Sequence, residues 1–174
     1  MSLSTRVIAA VGAVVVIGAG TVGGSIAYAS GQDQPTDRRV TVTVGRSSQE
    51  IDRPFCGGTG AVMTEDQQAQ CQAKAKEALA DGKIPSSDVV ASDRIGVGVT
   101  PQVADKGWFA FTNGGQQGQF SLATANIGQT WSGSVPAATA LSATGQTLLT
   151  VVESDPKTQD IYAVWYFQLK TQNA

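Results

Sequence analysis

The segment IYAVWYFQLK, residues 161–170, decides the fold class. Successive side chains of a β-strand point to opposite faces of the sheet, so residues two apart share a face. One face would carry Ile161, Ala163, Trp165, Phe167 and Leu169, and the other Tyr162, Val164, Tyr166, Gln168 and Lys170. A run with five apolar residues on one face predicts a strand that lines the core.

Three shorter runs predict further strands. Valines at positions 40, 42 and 44 alternate with threonine, and residues 95–99 alternate isoleucine or valine with glycine. Residues 148–152 are apolar on both faces apart from Thr150, which is typical of a central strand. Glycine-rich turns separate these runs. We therefore predict a mainly β (α+β) fold, a small β-sandwich with the immunoglobulin fold as one candidate topology.

One helix is expected to interrupt the strands. Thr64 and Gln67 form a capping-box pattern, with two acids between them, and Gly82 is a natural stop. The residues that recur at helical spacing are Cys71, Ala75, Ala78 and Leu79. Because three of these side chains are small, they predict close packing of the helix against a sheet.

Cys56 and Cys71 are the two cysteines of the chain. In an exported protein such a pair is most often a structural disulfide, which here would tie the helix to the segment before it. A redox or metal-binding pair is the alternative. It is disfavoured because the chain has no C-x-x-C motif and no histidine.

The N-terminus predicts export. Arg6 precedes an uncharged stretch, residues 7–32, and Ala27 and Ala29 supply the small side chains that signal peptidase requires. Residues 1–29 are therefore interpreted as a signal peptide. The apolar part, residues 7–26, approaches the length needed to span a bilayer, so an uncleaved membrane anchor is the alternative.

The same stretch contains Gly18, Gly20 and Gly23 in a literal G-x-G-x-x-G spacing. A dinucleotide site needs a helix after these glycines, and an acid at the end of the next strand. Pro35 leaves no room for that helix, and no acid follows the valine-rich strand at 40–44. We therefore predict no nucleotide cofactor.

The exported part is expected to be one domain. Residues 30–39 contain no apolar side chain and predict a flexible linker, followed by a β-rich extracytoplasmic domain at 40–174. The formal net charge of the chain is −2, and acids and bases are interspersed. Nucleic acid is therefore not an expected partner.

The lack of histidine removes the usual nucleophilic triads and most zinc sites. Two facing carboxylates could still hydrolyse a glycan. The candidates are Asp88, Asp93, Glu153 and Asp155. Acids of this kind are usually solvated loop residues, so we expect no catalytic site and no metal site among them.

The segment VGVTPQVADKGW, residues 97–108, begins in a strand-like run. Residues 101–106 predict a polar turn or a single helical turn that leads into another strand. Together with the helix bearing Cys71 and the aromatic strand containing Trp165, the segment resembles an uncharacterised family of exported actinobacterial proteins, many of them lipoproteins. The likeness covers about residues 40–170. The resemblance implies a β-rich extracytoplasmic domain and supplies no catalytic residues. This chain lacks the lipobox cysteine of those members.

The three tryptophans divide into two groups. Trp108 and Trp165 have apolar neighbours and are expected in the core, whereas Trp131 lies in a polar, glycine-rich stretch and is the candidate contact for a ligand or partner. We predict a non-catalytic envelope domain, secreted or membrane-anchored, that binds another protein or an envelope polymer. The alternatives are an accessory subunit of a membrane complex, anchored by residues 7–29, and a carboxylate-dependent hydrolase of cell-wall glycan.

Overall fold

The computed structural model describes residues 38–172. The predicted signal or anchor at 1–29, with Ala27 and Ala29, and most of the predicted linker lie outside this range. Among the described residues, no helix is long and apolar enough to cross a bilayer. The strands are β1 (Val40–Val44), β2 (Ser47–Ile51), β3 (Cys56–Gly57), β4 (Ser86–Val89), β5 (Arg94–Val99), β6 (Trp108–Thr112), β7 (Phe120–Asn126), β8 (Trp131–Pro136), β9 (Gln146–Ser154) and β10 (Ile161–Thr171).

Two sheets form a β-sandwich, which confirms the predicted mainly β fold. The first sheet has the strand order β2-β1-β5-β8, and the second has the order β3-β10-β9-β6-β7. Strand β4 extends the second sheet by pairing with β10 in parallel, whereas the other strand pairs are antiparallel. The predicted central strand at 148–152 belongs to β9, which lies between β10 and β6.

The main core lies between the two sheets. The alternating valines of β1 and the apolar residues of β5 are buried there, and so are Trp108 and Trp165, as predicted. Four of the five residues assigned to the core face of β10 also lie there: Ala163, Trp165, Phe167 and Leu169. The prediction for Ile161 was wrong. The register of β10 against β9 shifts between Ile161 and Ala163, and this irregularity turns Ile161 to the opposite face.

A second, smaller core covers the outer face of the second sheet. Helix α1 (Glu65–Ala80) lies over this face and buries Cys71 and Ala75 against it. The predicted capping box is present: the Gln67 amide donates to Thr64 Oγ1 at 3.3 Å, and the Thr64 amide donates to Gln67 Oε1 at 2.9 Å. These bonds satisfy two of the amides that a helix start leaves open, so the helix begins where the sequence predicts.

Two short helices complete the described chain. Helix α2 (Pro101–Lys106) precedes β6, where the sequence predicted a turn or one helical turn, and α3 (Ala137–Ala140) follows β8 and was not predicted. The sequence of α3, AATA, is too short to show a helical repeat.

The predicted disulfide is present. Cys56 of β3 and Cys71 of α1 are bonded, with their Cα atoms 6.0 Å apart. The bond joins the small β3 edge of the second sheet to the first half of the helix. A structural disulfide of this kind is typical of an oxidising compartment.

Candidate functional site

Trp131, the predicted contact residue, begins β8 and lies on the outer face of the first sheet. Gly96 and Gly98 of the neighbouring strand β5 carry no side chain, and the indole occupies the space above them. A Cβ atom at Gly96 would overlap Cη2 of Trp131, and one at Gly98 would lie 3.5 Å from Cε3. The two glycines therefore make the flat surface on which the indole rests. The side chain keeps 45% of its surface exposed.

Hydrogen bonds to the core fix the loop that carries Trp131, residues 127–131 (the Trp131 loop). The buried Trp108 donates its indole N–H to the carbonyl of Gln129 at 2.6 Å. The amide of Val99, at the end of β5, donates to the carbonyl of Thr130 at 2.9 Å. Gln129 and Thr130 are thus both hydrogen-bonded to the core, and these bonds hold the next residue, Trp131, in place.

The Trp131 loop also exposes Ile127, which keeps 51% of its surface accessible. The large apolar side chains that are exposed in the described chain are Phe55, Val62, Ile127 and Trp131. Two of these four come from one five-residue loop. A large apolar side chain that stays exposed on a fixed loop suits contact with a partner.

Sequence reasoning missed a groove on the opposite side of the molecule. A space of about 440 Å³ opens between α1 and the outer face of the second sheet (the helix–sheet groove). Its floor is formed mainly by Phe109, Phe111, Leu148, Val152, Val164 and Tyr166. The sequence of β6 did indicate a second apolar face of this sheet. Phe109 and Phe111 alternate with the core residues Trp108 and Ala110, so they lie on the opposite side of the strand.

The small side chains of α1 explain why the groove stays open. Cys71 and Ala75 are buried as predicted, but they also line the groove. They are too short to fill the space above the aromatic floor, where Phe109 and Phe111 stack with centroids 6.0 Å apart. The small residues therefore pack the helix onto the sheet at Cys71 and Ala75, as predicted, while the space above Phe109 and Phe111 stays open.

Of the four candidate acids, two have local structural roles and a third is exposed. Asp88 is exposed on β4. Asp93 accepts a hydrogen bond from the amide of Val90 at 2.9 Å, and Asp155 accepts one from the amide two residues later at 2.8 Å. Both are turn contacts of the kind that short acidic side chains commonly make. No group of three potential metal ligands occurs among residues 38–172.

Glu153 differs from the expectation that it would be a solvated loop acid. It is 0% exposed near the end of β9 and accepts bonds from Arg38 Nε at 3.0 and 3.2 Å. Arg38 is itself buried and also donates to the carbonyl of Gly58 at 3.2 Å. Arg38 therefore belongs to the folded domain, although it was predicted to lie in the linker. An arginine can be buried when its charge is paired with a carboxylate.

Burial raises the pKa of Glu153 above its usual value of 4.5, since desolvation of the carboxylate outweighs the opposing attraction of Arg38 and, more weakly, of Lys106. The folded state therefore binds this proton more tightly than the unfolded chain does. A group of this kind stabilises the fold most at low pH, and that contribution is lost as the pH rises through the raised pKa.

We expect the wild type and the variant Glu153→Gln to differ in how their stability depends on pH. The variant keeps a side chain of similar size facing Arg38. The stability of the wild type relative to this variant should fall as the pH rises above about 4.5. Urea unfolding of both proteins from about pH 4 to about pH 8 measures the difference. A difference that does not change with pH would show that Glu153 titrates alike in the folded and unfolded states.

No family model, no curated protein and no solved structure matches the chain.

Proposed function

We propose that the chain is a non-catalytic domain of the cell envelope that binds another protein or an envelope polymer through the Trp131 loop. The observation that carries the proposal is the fixed, 45% exposed indole of Trp131. Tryptophan is enriched among the residues that dominate binding energy in interfaces. Because the loop is already hydrogen-bonded to the core, little conformational freedom would be lost when a partner binds.

A protein is the favoured partner. An indole face alone suits a sugar ring as well as a protein, but Ile127 adds a second apolar side chain from the same loop. An aliphatic side chain gains most by burial against another apolar surface, which protein interfaces provide at their centres.

The location of the domain rests on separate support. The disulfide between Cys56 and Cys71 suits an oxidising compartment, and residues 1–29 predict export. The N-terminus of the mature protein tests both the location and the accessory-subunit alternative. A mature chain beginning at Ser30 would support secretion and remove the basis for a subunit anchored by residues 7–29.

Replacing Trp131 with alanine is expected to weaken binding to isolated envelopes of the producing cells by about tenfold or more, the size of effect that a central tryptophan typically has. Val62→Ala is the matched control, because Val62 is 46% exposed but belongs to another loop. Thermal unfolding shows whether each variant is folded.

Treating the envelopes with protease before the assay separates the two partner classes. Loss of binding after proteolysis identifies a protein, and retained binding identifies a polymer. The proposal fails if folded Trp131→Ala binds as tightly as the wild type, or if Val62→Ala loses binding to the same extent.

A further inference from the structure

We propose that the helix–sheet groove binds a single hydrocarbon chain of an anionic membrane lipid. This site lies on the second sheet, whereas the Trp131 loop packs on the first. The inference shares the predicted export with the proposed function, but it does not depend on binding by the Trp131 loop. The groove has about 440 Å³ of space, within the range of about 300–1,000 Å³ found for small-molecule sites. Its floor is aromatic and aliphatic, as such sites usually are.

The hydrogen bonding of the floor excludes an extended peptide. Strand β9 is paired with β10 and β6, and β6 is paired with β9 and β7, so the middle of the floor offers no strand edge. A peptide laid across it would bring amides that find few partners, at a cost of roughly 1–3 kcal/mol for each unsatisfied group. A hydrocarbon chain carries no polar group and avoids this cost.

The rim of the groove indicates the charge of the head group. Gln68, Gln72 and Lys76 line the groove from α1, and their spacing of four residues places them along one side of the helix. Lys76 is the charged residue of the lining within the described chain, and it is exposed. A carboxylate or phosphate at the end of an apolar chain would meet this ammonium group while the chain remained on the floor. The export predicted from residues 1–29 would place the groove beside a membrane, which is the source of such lipids.

The first experiment titrates the purified mature protein with cis-parinaric acid, a fatty acid that fluoresces in apolar surroundings. We expect saturable binding. Dodecanoate should displace the probe at a concentration about tenfold lower than dodecylamine, which has the same tail and the opposite charge. Absence of saturable binding, or equal displacement by the two amphiphiles, would overturn the proposal.

Two lysines of α1 supply a matched pair of variants. Lys76→Glu should weaken probe binding about tenfold, whereas Lys74→Glu, which makes the same change of charge on an exposed residue outside the groove lining, should not. Equal losses in the two variants would show a general effect of protein charge and contradict a site at the groove.

A third variant tests the apolar floor. Val152→Phe places a larger apolar side chain into the groove and should abolish probe binding while far-ultraviolet circular dichroism stays unchanged. If this variant does not fold, the comparison of the two lysine variants decides whether the groove is the binding site.

Uptake of a fluorescent phosphatidylglycerol from vesicles tests the lipid source. Transfer by the wild type and not by Lys76→Glu supports a membrane lipid as the ligand, and no transfer overturns it.

Discussion

Replacing Arg38 with alanine is expected to lower the free energy of unfolding by about 3–5 kcal/mol. The change leaves the carboxylate of Glu153 at 0% exposure without the guanidinium that donates to both of its oxygens. An unpaired buried charge costs far more than the loss of one surface contact. Urea or guanidinium unfolding at neutral pH measures the effect.

Arg39 provides the matched control, because it is the next residue and also forms an ion pair. Its partner is Glu50 at 2.8 Å, but the two side chains are 43% and 49% exposed. Removing one partner of an exposed pair usually costs less than about 1 kcal/mol. Equal losses of stability in Arg38→Ala and Arg39→Ala would show that burial of the ion pair does not matter. Adding Glu153→Gln to Arg38→Ala should restore part of the lost stability, since it removes the unpaired charge.

The double variant Cys56→Ala/Cys71→Ala is expected to lose about 3 kcal/mol of stability, or roughly 10 °C in Tm. The disulfide spans 15 residues, and a cross-link of that length removes chain freedom from the unfolded state. The bond also joins the first half of α1 to β3, so its loss should loosen the helix over the second sheet. Thermal unfolding followed by circular dichroism measures the change.

Reduction of the wild type with dithiothreitol is the control for this variant. The reduced wild type and the double variant should unfold at similar temperatures, because both lack the same cross-link. An unchanged midpoint after reduction would mean that the disulfide contributes no stability. The helix itself should persist near room temperature in both samples, since the hydrogen bonds between Thr64 and Gln67 that fix its start are independent of the disulfide.

Side-chain periodicity predicted much of the fold. The alternation in β10 placed Trp165, Phe167 and Leu169 in the core, and the capping box placed the start of α1. Periodicity assumes an unbroken strand, however, and the register shift after Ile161 reverses the face of that residue. An irregularity of this kind depends on the partner strand, which the local sequence does not describe.

The candidate sites were predicted less completely, for two physical reasons. Trp131 was recognisable because a large aromatic stood among polar residues, but the glycines that support it come from another strand. The helix–sheet groove depends on how far the small side chains of α1 reach towards Phe109 and Phe111, which is a property of packing. Arg38 was misplaced because its burial depends on Glu153, 115 residues away.

The position of Arg38 also determines how the domain would respond to mechanical load. Chain tension applied ahead of residue 38 acts first on the buried pair of Arg38 with Glu153 and then on β1. Strand β1 is hydrogen-bonded to β2 on one side and to β5 on the other, so it is not an edge that can peel away alone. A domain pulled at this end would have to break two strand interfaces together before its core opened.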